Sequence, residues 1–273
     1  MADLRKSKMN RHVVLTSGRS GSNHLVAALN QHPGLCNFGE VLGDWTLPAR
    51  MWSPFSKLGA SQAGLLETVY TSRGVYYAAQ SLSYVSRKRN RRPTHFRRRS
   101  QVQSLGVKEF FMHLRDPKVL AWFEECEDLS IVHLRREDRL AKALSVLRLD
   151  RNGRAVARVG DDSADALHID PNSLLETLDA LETEAQEEDE ILRKLAHHKC
   201  LGLVHEHDFG NWDSTQAALA RVHEFLEVEP MPLMDTGHRS SVKGRAIEAV
   251  QNREEIEKAL LDSRHADSLA RHR

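Results

Sequence analysis

"VVLTSGRSGSNHL", residues 13–25, decides the fold. An apolar run gives way to small polar residues and glycine around one arginine. Apolar residues then return at helical spacing, with Leu25 and Leu29 one turn apart. A short, wholly apolar run reads as a strand buried on both faces of a parallel sheet. Ligands of such sheets sit beyond the carboxyl ends of the strands, which is where "TSGRSGSN" falls. Its serines and glycines let successive backbone N–H groups turn toward one anion. A following helix N-terminus adds partial positive charge, and Arg19 can add a charge-assisted bond. The same residues also suit a plain turn that caps a helix. The lysine that ATP- and GTP-binding loops place after their last glycine is missing, and Asn23 and His24 occupy that region.

Four further short runs read as strands: 35–38, 105–112, 129–134 and 200–204. Leucine stripes at helical spacing lie between them, Leu140, Leu144 and Leu147 in one and Leu174, Leu178 and Leu181 in another. Alternation of this kind predicts an α/β domain with a mostly parallel sheet. A length of 273 residues suits one large domain or two small ones. Residues 41–104 read as loop and short helix, an insertion of the kind that carries substrate-specific features. From about residue 245 an amphipathic helix is expected, followed by a frayed tail.

Lysine and arginine (39) nearly balance aspartate and glutamate (38), but the charges are segregated. Residues 86–100 are dense in arginine, and no acid occurs between Glu67 and Glu109, whereas 161–190 carries no lysine or arginine. Blocks of this kind form solvated faces or loops, or attract an anionic partner such as a lipid head group or acidic substrate. Only Phe96 is interleaved as a stacking residue, so no nucleic acid is expected. Cys36, Cys126 and Cys200 lie far apart and form no metal-ligand spacing, and the N-terminus has no signal-peptide apolar core. The expectation is a cytoplasmic protein with buried thiols, peripheral to a membrane at most. The oligomeric state is not legible.

"TSGRSGSNHLVAALNQHPGLCNFGE", 16–40, resembles the opening of sulfotransferases that use 3'-phosphoadenosine 5'-phosphosulfate, and is most similar to bacterial carbohydrate sulfotransferases of the nodulation-factor and trehalose type. The resemblance implies a P-loop NTPase-like three-layer α/β fold with a mostly parallel central sheet of four or five strands flanked by helices. It implies one domain over 1–273 and places Arg19, Ser20, Gly21, Ser22 and Asn23 around the donor's 5'-phosphosulfate. Asn23 stands where threonine is commoner. A second segment, "IVHLRREDRLAKALSVLRLDRNGRA" (131–155), resembles the family's 3'-phosphate motif and puts the arginine at Arg136 and the serine at Ser145. Nine residues of helix span ~13 Å, so spacing alone does not bring these two together. Arg135 and Arg136 read equally as solvent-facing side chains, although two cations at a helix start oppose its dipole unless an anion neutralises them. Ala155 stands where the family has tryptophan. "GVKE" (106–109) and "LVHEHDFGNW" (203–212) are weaker echoes.

Sulfuryl transfer needs a base for the acceptor hydroxyl and positive charge for the leaving phosphate. Glu40 matches the family's "GE", where a glutamate is the proposed base, and partial burial beside Phe38 and Val41 would raise its pKa. It could equally be a surface glutamate at a strand end. Lys108 could stabilise the leaving phosphate or pair with a neighbouring carboxylate. No metal is implied, since no carboxylate pattern for Mg²⁺ is present. Histidines 205 and 207 would point the same way on a strand without a third ligand, His113 and His133 read as core or edge residues, and His197 and His198 as a solvated helix end. The activity implied is transfer of a sulfuryl group to a hydroxyl of a carbohydrate or glycolipid. A P-loop nucleotide kinase or NTPase and a non-catalytic nucleotide-binding scaffold are the alternatives.

Overall fold

All five expected strands are present and pair into one sheet. The structure is a computed structural model that describes residues 9–56, 59–89, 96–152, 168–234, 246–270 and 272. The strands are β1 (Asn10–Thr16), β2 (Leu35–Asn37), β3 (Ser104–Phe110), β4 (Leu129–Arg135) and β5 (Lys199–Val204). Their order is β2-β3-β1-β4-β5, and every neighbouring pair is parallel. The helices are α1 (Ser22–Leu29), α2 (Leu47–Ser56), α3 (Gln62–Thr71), α4 (Arg73–Arg89), α5 (Pro117–Glu125), α6 (Arg139–Asn152), α7 (Pro171–Lys194), α8 (His205–Asp208), α9 (Trp212–Phe225) and α10 (Arg253–Leu261). This is a three-layer α/β arrangement, with helices packed on both faces of a parallel sheet.

Alternation along β1 explains the layers, because successive side chains leave a strand on opposite faces. Val13 and Leu15 pack with Leu66 and Val69 of α3 and Phe123 of α5. Val14 packs on the other face with Leu25 and Leu29 of α1 and Leu219 and Val222 of α9. A third cluster joins Leu140 and Leu144 of α6 to Leu174 and Leu178 of α7 and Ile256 and Leu260 of α10. Each fully buried leucine contributes about 1.5–3 kcal/mol relative to exposure. Gly106 of β3 lies opposite His12 of β1, and a Cβ there would meet His12 Nε2 at 2.2 Å, so the glycine makes room for a buried imidazole.

Several local expectations are corrected. Among the described residues the 41–104 region holds three α-helices, not loop with short helix, because Leu65, Leu66, Val69 and Tyr70 of α3 and Tyr76 of α4 are buried on the sheet. Part of the basic 86–100 segment is structural. Buried Arg97 donates to Asn30 O, and Arg99 donates to Tyr70 O (2.5 Å) and Ser72 O (3.3 Å), while residues 90–95 lie outside the described residues. Among the described residues the C-terminal segment is packed, not frayed: His265, Leu269 and His272 are buried, and His272 Nε2 lies 3.0 Å from Asp138 Oδ1. His198 is buried against Phe123 O (2.8 Å), not solvated at a helix end. Cys36 and Cys126 are buried, but Cys200 is exposed. Among the described residues, no helix is long and apolar enough to cross a membrane.

Candidate functional site

The loop between β1 and α1 begins with a closed hydroxyl network. Thr16 Oγ1 donates to Leu134 O of β4 at 2.8 Å, and it is bonded to Ser20 Oγ. The Ser20 hydroxyl is therefore turned inward and fully buried. Two residues hold left-handed backbone, Arg19 at φ 65° and Gly21 at φ 83°. A Cβ on Gly21 would lie 2.6 Å from His205 Cδ2, so only glycine combines this turn with close packing against α8. Gly21 caps α1 without a side-chain bond, and no acid occupies the helix's first turn. Amide donors at such a helix start are left for another acceptor.

Strand order places two different clusters on either side of the loop, because β1 is central with β3 and β2 on one side and β4 and β5 on the other. On the β4 side, Arg19 Nε donates to Ser145 Oγ of α6 at 2.8 Å, and Arg136 Nη1 donates to Arg19 O at 3.1 Å. The turn between β4 and α6 lets Arg136 reach back to the loop, which linear spacing could not show. Burial, and then the charge of Arg136, lower the pKa of the Arg19 guanidinium below its ordinary value. Two like charges held together in this way favour an anion between them.

Arg136 also has a protein partner, Glu206 Oε1 at 3.5 Å. Glu206 accepts from the backbone amides of Glu137 (3.0 Å) and Asp138 (3.1 Å), supplying the negative charge at the start of α6. The sequence reading missed this role. "HEHD" forms the one-turn helix α8, not a strand extension, so its histidines are not aligned as a strand would align them. His205 is held mainly neutral: burial, then the Arg136 charge, lower its pKa.

Lys142 was also missed. It is buried on α6, donates to Ser17 Oγ at 2.6 Å and pairs with Glu184 of α7 at 2.7 Å. The available signal was its spacing of three from Ser145, which puts both on one helix face.

On the β3 side, Lys108 is 2% exposed and its Nζ donates to Asn23 Oδ1 at 3.0 Å. The same ammonium is ion-paired with Glu40 Oε1, and Trp45 Nε1 donates to Glu40 Oε2 at 2.6 Å. The carboxylate of Glu40 thus meets a cation and an indole, not the apolar wall of Phe38 and Val41 that the sequence suggests. Lys108 and Glu109 point to opposite faces of β3. Buried Glu109 accepts from the amides of Val41 (2.7 Å) and Leu42 (3.1 Å), and His113 Nδ1 lies 2.7 Å from its second oxygen. Burial raises the Glu109 pKa above the usual carboxylate range, against the effect of these bonds. Ser22 is buried at the loop's end, and Arg135 faces solvent, paired with Glu137 at 2.8 Å.

Arg19, Asn23, Arg136 and Ser145 are therefore gathered around one loop together with Glu40 and Lys108. Among the described residues, no group of three or more His, Cys, Asp or Glu side chains comes together as a metal site. Ala155 lies outside the described residues. No protein-family model matches the chain, and no curated protein does. Solved structures similar to it include two sulfotransferases. One is the crystal structure of a sulfotransferase from Alicyclobacillus acidocaldarius, 14% identical over 97% of this chain and 94% of that chain, with a TM-score of 0.49. The other is the sulfotransferase domain from the Synechococcus PCC 7002 olefin synthase, 17% identical over 88% of this chain and 80% of that chain, with a TM-score of 0.43.

Proposed function

We propose that the protein is a sulfotransferase that moves a sulfuryl group from 3'-phosphoadenosine 5'-phosphosulfate to a hydroxyl of a carbohydrate or glycolipid acceptor. The observation that carries this reading is the division of the loop's surroundings into an arginine–serine end and a lysine–glutamate end. A donor with phosphate groups at both ends of its nucleoside needs two anion sites of this kind. The residues fit it: Arg136 and Ser145 would hold the 3'-phosphate, joined by Arg19, which the resemblance places at the 5'-phosphosulfate but whose Nε bonds Ser145, and the amides of Gly21, Ser22 and Asn23 would hold the 5'-phosphosulfate.

The bound donor supplies an activated sulfuryl group. Glu40 Oε2, once released by the exposed Trp45 indole, accepts the proton of the acceptor hydroxyl as its oxygen bonds to sulfur. Lys108 Nζ, already at the loop, stabilises the charge on the bridging oxygen as the old sulfur–oxygen bond breaks.

Lys108 also changes the case against an NTPase. A lysine missing from the loop is supplied by the adjacent strand, so its absence from the motif does not separate the two activities. The carboxylates favour sulfuryl transfer. Glu109, at the carboxyl end of β3, is committed to two backbone amides and His113, whereas Glu40 faces Lys108 beside the loop.

Isothermal titration tests the donor site. 3'-Phosphoadenosine 5'-phosphate should bind, and Arg136→Ala should weaken it by roughly 10–150-fold, the worth of one bond to a charged group. Glu40→Gln should keep that binding and lower kcat for labelled-sulfate transfer by roughly 10²–10⁴-fold. No binding by the intact protein, or magnesium-dependent ATP turnover, overturns the proposal. Retained binding with no transfer to any acceptor identifies a scaffold instead.

A further inference from the structure

A cavity of about 580 Å³, within the range of small-molecule sites, lies among β2, the segment that follows it and helices α2, α3 and α4. Phe38 and Val41, which bracket Gly39 and Glu40 in the chain, form part of its wall. Met51, Trp52 and Phe55 of α2 and Val69 of α3 form much of the rest. Apolar side chains continue outward at its rim, where Leu47, Met51, Phe55 and Leu82 are each about half exposed or more. Large apolar side chains left in water around a concave site mark a ligand surface.

Most polar groups in the wall are engaged by the protein itself, the Arg97 guanidinium through Asn30 O among them. Asn30 bonds both backbone groups of Asn37 (2.9 and 2.7 Å), and Asn37 bonds Val107 O (3.1 Å) and Gly39 N (2.9 Å). Gln80 donates to Cys36 Sγ (3.1 Å), and Thr68 donates to Gly64 O (2.7 Å). A sugar in this cavity would exchange its bonds to water for contact with spent partners, which is unfavourable. A hydrocarbon loses nothing polar by entering.

We infer that this cavity binds the alkyl chain of the acceptor, so that the acceptor is an amphiphilic alcohol whose hydroxyl end is delivered to Glu40. The inference rests on the sulfuryl-transfer reading above and narrows its acceptor from carbohydrates in general to molecules carrying an aliphatic tail. The site and the chemistry are continuous along the chain, since Gly39 and Glu40 at the loop lie between two residues of the cavity wall.

The test titrates the full-length protein with n-alkyl β-glucosides from methyl to octyl below their micelle concentrations, then measures labelled-sulfate transfer to the same series. Affinity and kcat/KM should rise about fourfold per methylene, the equivalent of ~0.8 kcal/mol, until the cavity is filled. Ala79→Phe, which fills the wall of α4, should cancel that gain while 3'-phosphoadenosine 5'-phosphate still binds. Phe55→Asp, on the exposed rim, should do the same without touching the core. Affinity independent of chain length overturns the inference, as does transfer to glucose or methyl glucoside as fast as to the octyl compound, and in that case sulfuryl transfer itself stands. Chain-length-dependent binding by a protein that does not bind the nucleotide overturns the acceptor role together with the transferase reading.

Discussion

Gly21 shows how much one residue determines in this loop. Its left-handed φ of 83° admits a side chain only with strain, and the ring of His205 already fills the space a Cβ would take. Gly21→Ala should therefore cost about 1–3 kcal/mol and displace the amides at the start of α1. Thermal unfolding and nucleotide titration should both report it. Wild-type values in both would mean that α8 yields and the loop is not built around this glycine. Arg19 takes the same backbone region without being glycine, and the bonds of its side chain to Ser145 and of its carbonyl to Arg136 hold it there. The motif made Arg19 legible in the sequence. Lys142 and Glu206 were not legible, because their partners lie 125 and 69 positions away in the chain.

Among the elements, β3 has the most divided role. Its period of two sends Lys108 to the loop and Glu109 to the segment after β2. Through the amides of Val41 and Leu42, Glu109 sets the backbone that follows Glu40. It is a positioning residue. Glu109→Gln keeps a carbonyl oxygen for those amides and turns an amide donor to His113, so it should change stability by less than about 1 kcal/mol. Glu109→Ala leaves buried donors unmet and should cost about 2–4 kcal/mol. The Ala variant should lower kcat while leaving nucleotide affinity unchanged, and the Gln variant should restore most of it. Equal loss in both would assign Glu109 a different role. Helices α2–α4 were less legible than β3, since their burial depends on a sheet face that residues 41–104 do not contain. The C-terminal segment was misread as frayed for the same reason: His272 has its partner in Asp138, at the start of α6. Burial works to raise the Asp138 carboxyl, but the bonds from His272 and the Ala141 amide outweigh it and hold the carboxyl below its ordinary range.

For the whole molecule, buried imidazoles set the response to acid. His12 lies within the sheet, and burial depresses its pKa to about 3. His223 is depressed to about 4, first by burial and then by the charge of His32. Both are neutral in the folded state, whereas the unfolded chain takes up protons near pH 6.5. The stability they contribute is therefore complete above about pH 6.5 and is lost as pH falls toward about 4 for His223 and about 3 for His12. Urea denaturation should show unfolding free energy falling by up to ~2.7 kcal/mol per pH unit between about pH 6 and 4, ~1.4 for each imidazole. His223→Gln should lower that slope by up to ~1.4 kcal/mol per pH unit. A free energy flat across this range would show that these rings are not held neutral.

The sequence by itself determined the parts whose physics is local. Continuous apolar runs specify strands buried on both faces, helical leucine spacing specifies what covers them, and a Gly/Ser stretch at a strand end specifies a tight turn that opens a helix. Convergence was decided only by the tertiary structure. Arg136 meets Arg19 because β4 lies beside β1, and Lys108 meets Asn23 and Glu40 because β3 lies on the other side. Strand order is a property of the folded sheet, set by which faces bury one another, and no spacing along the chain encodes it.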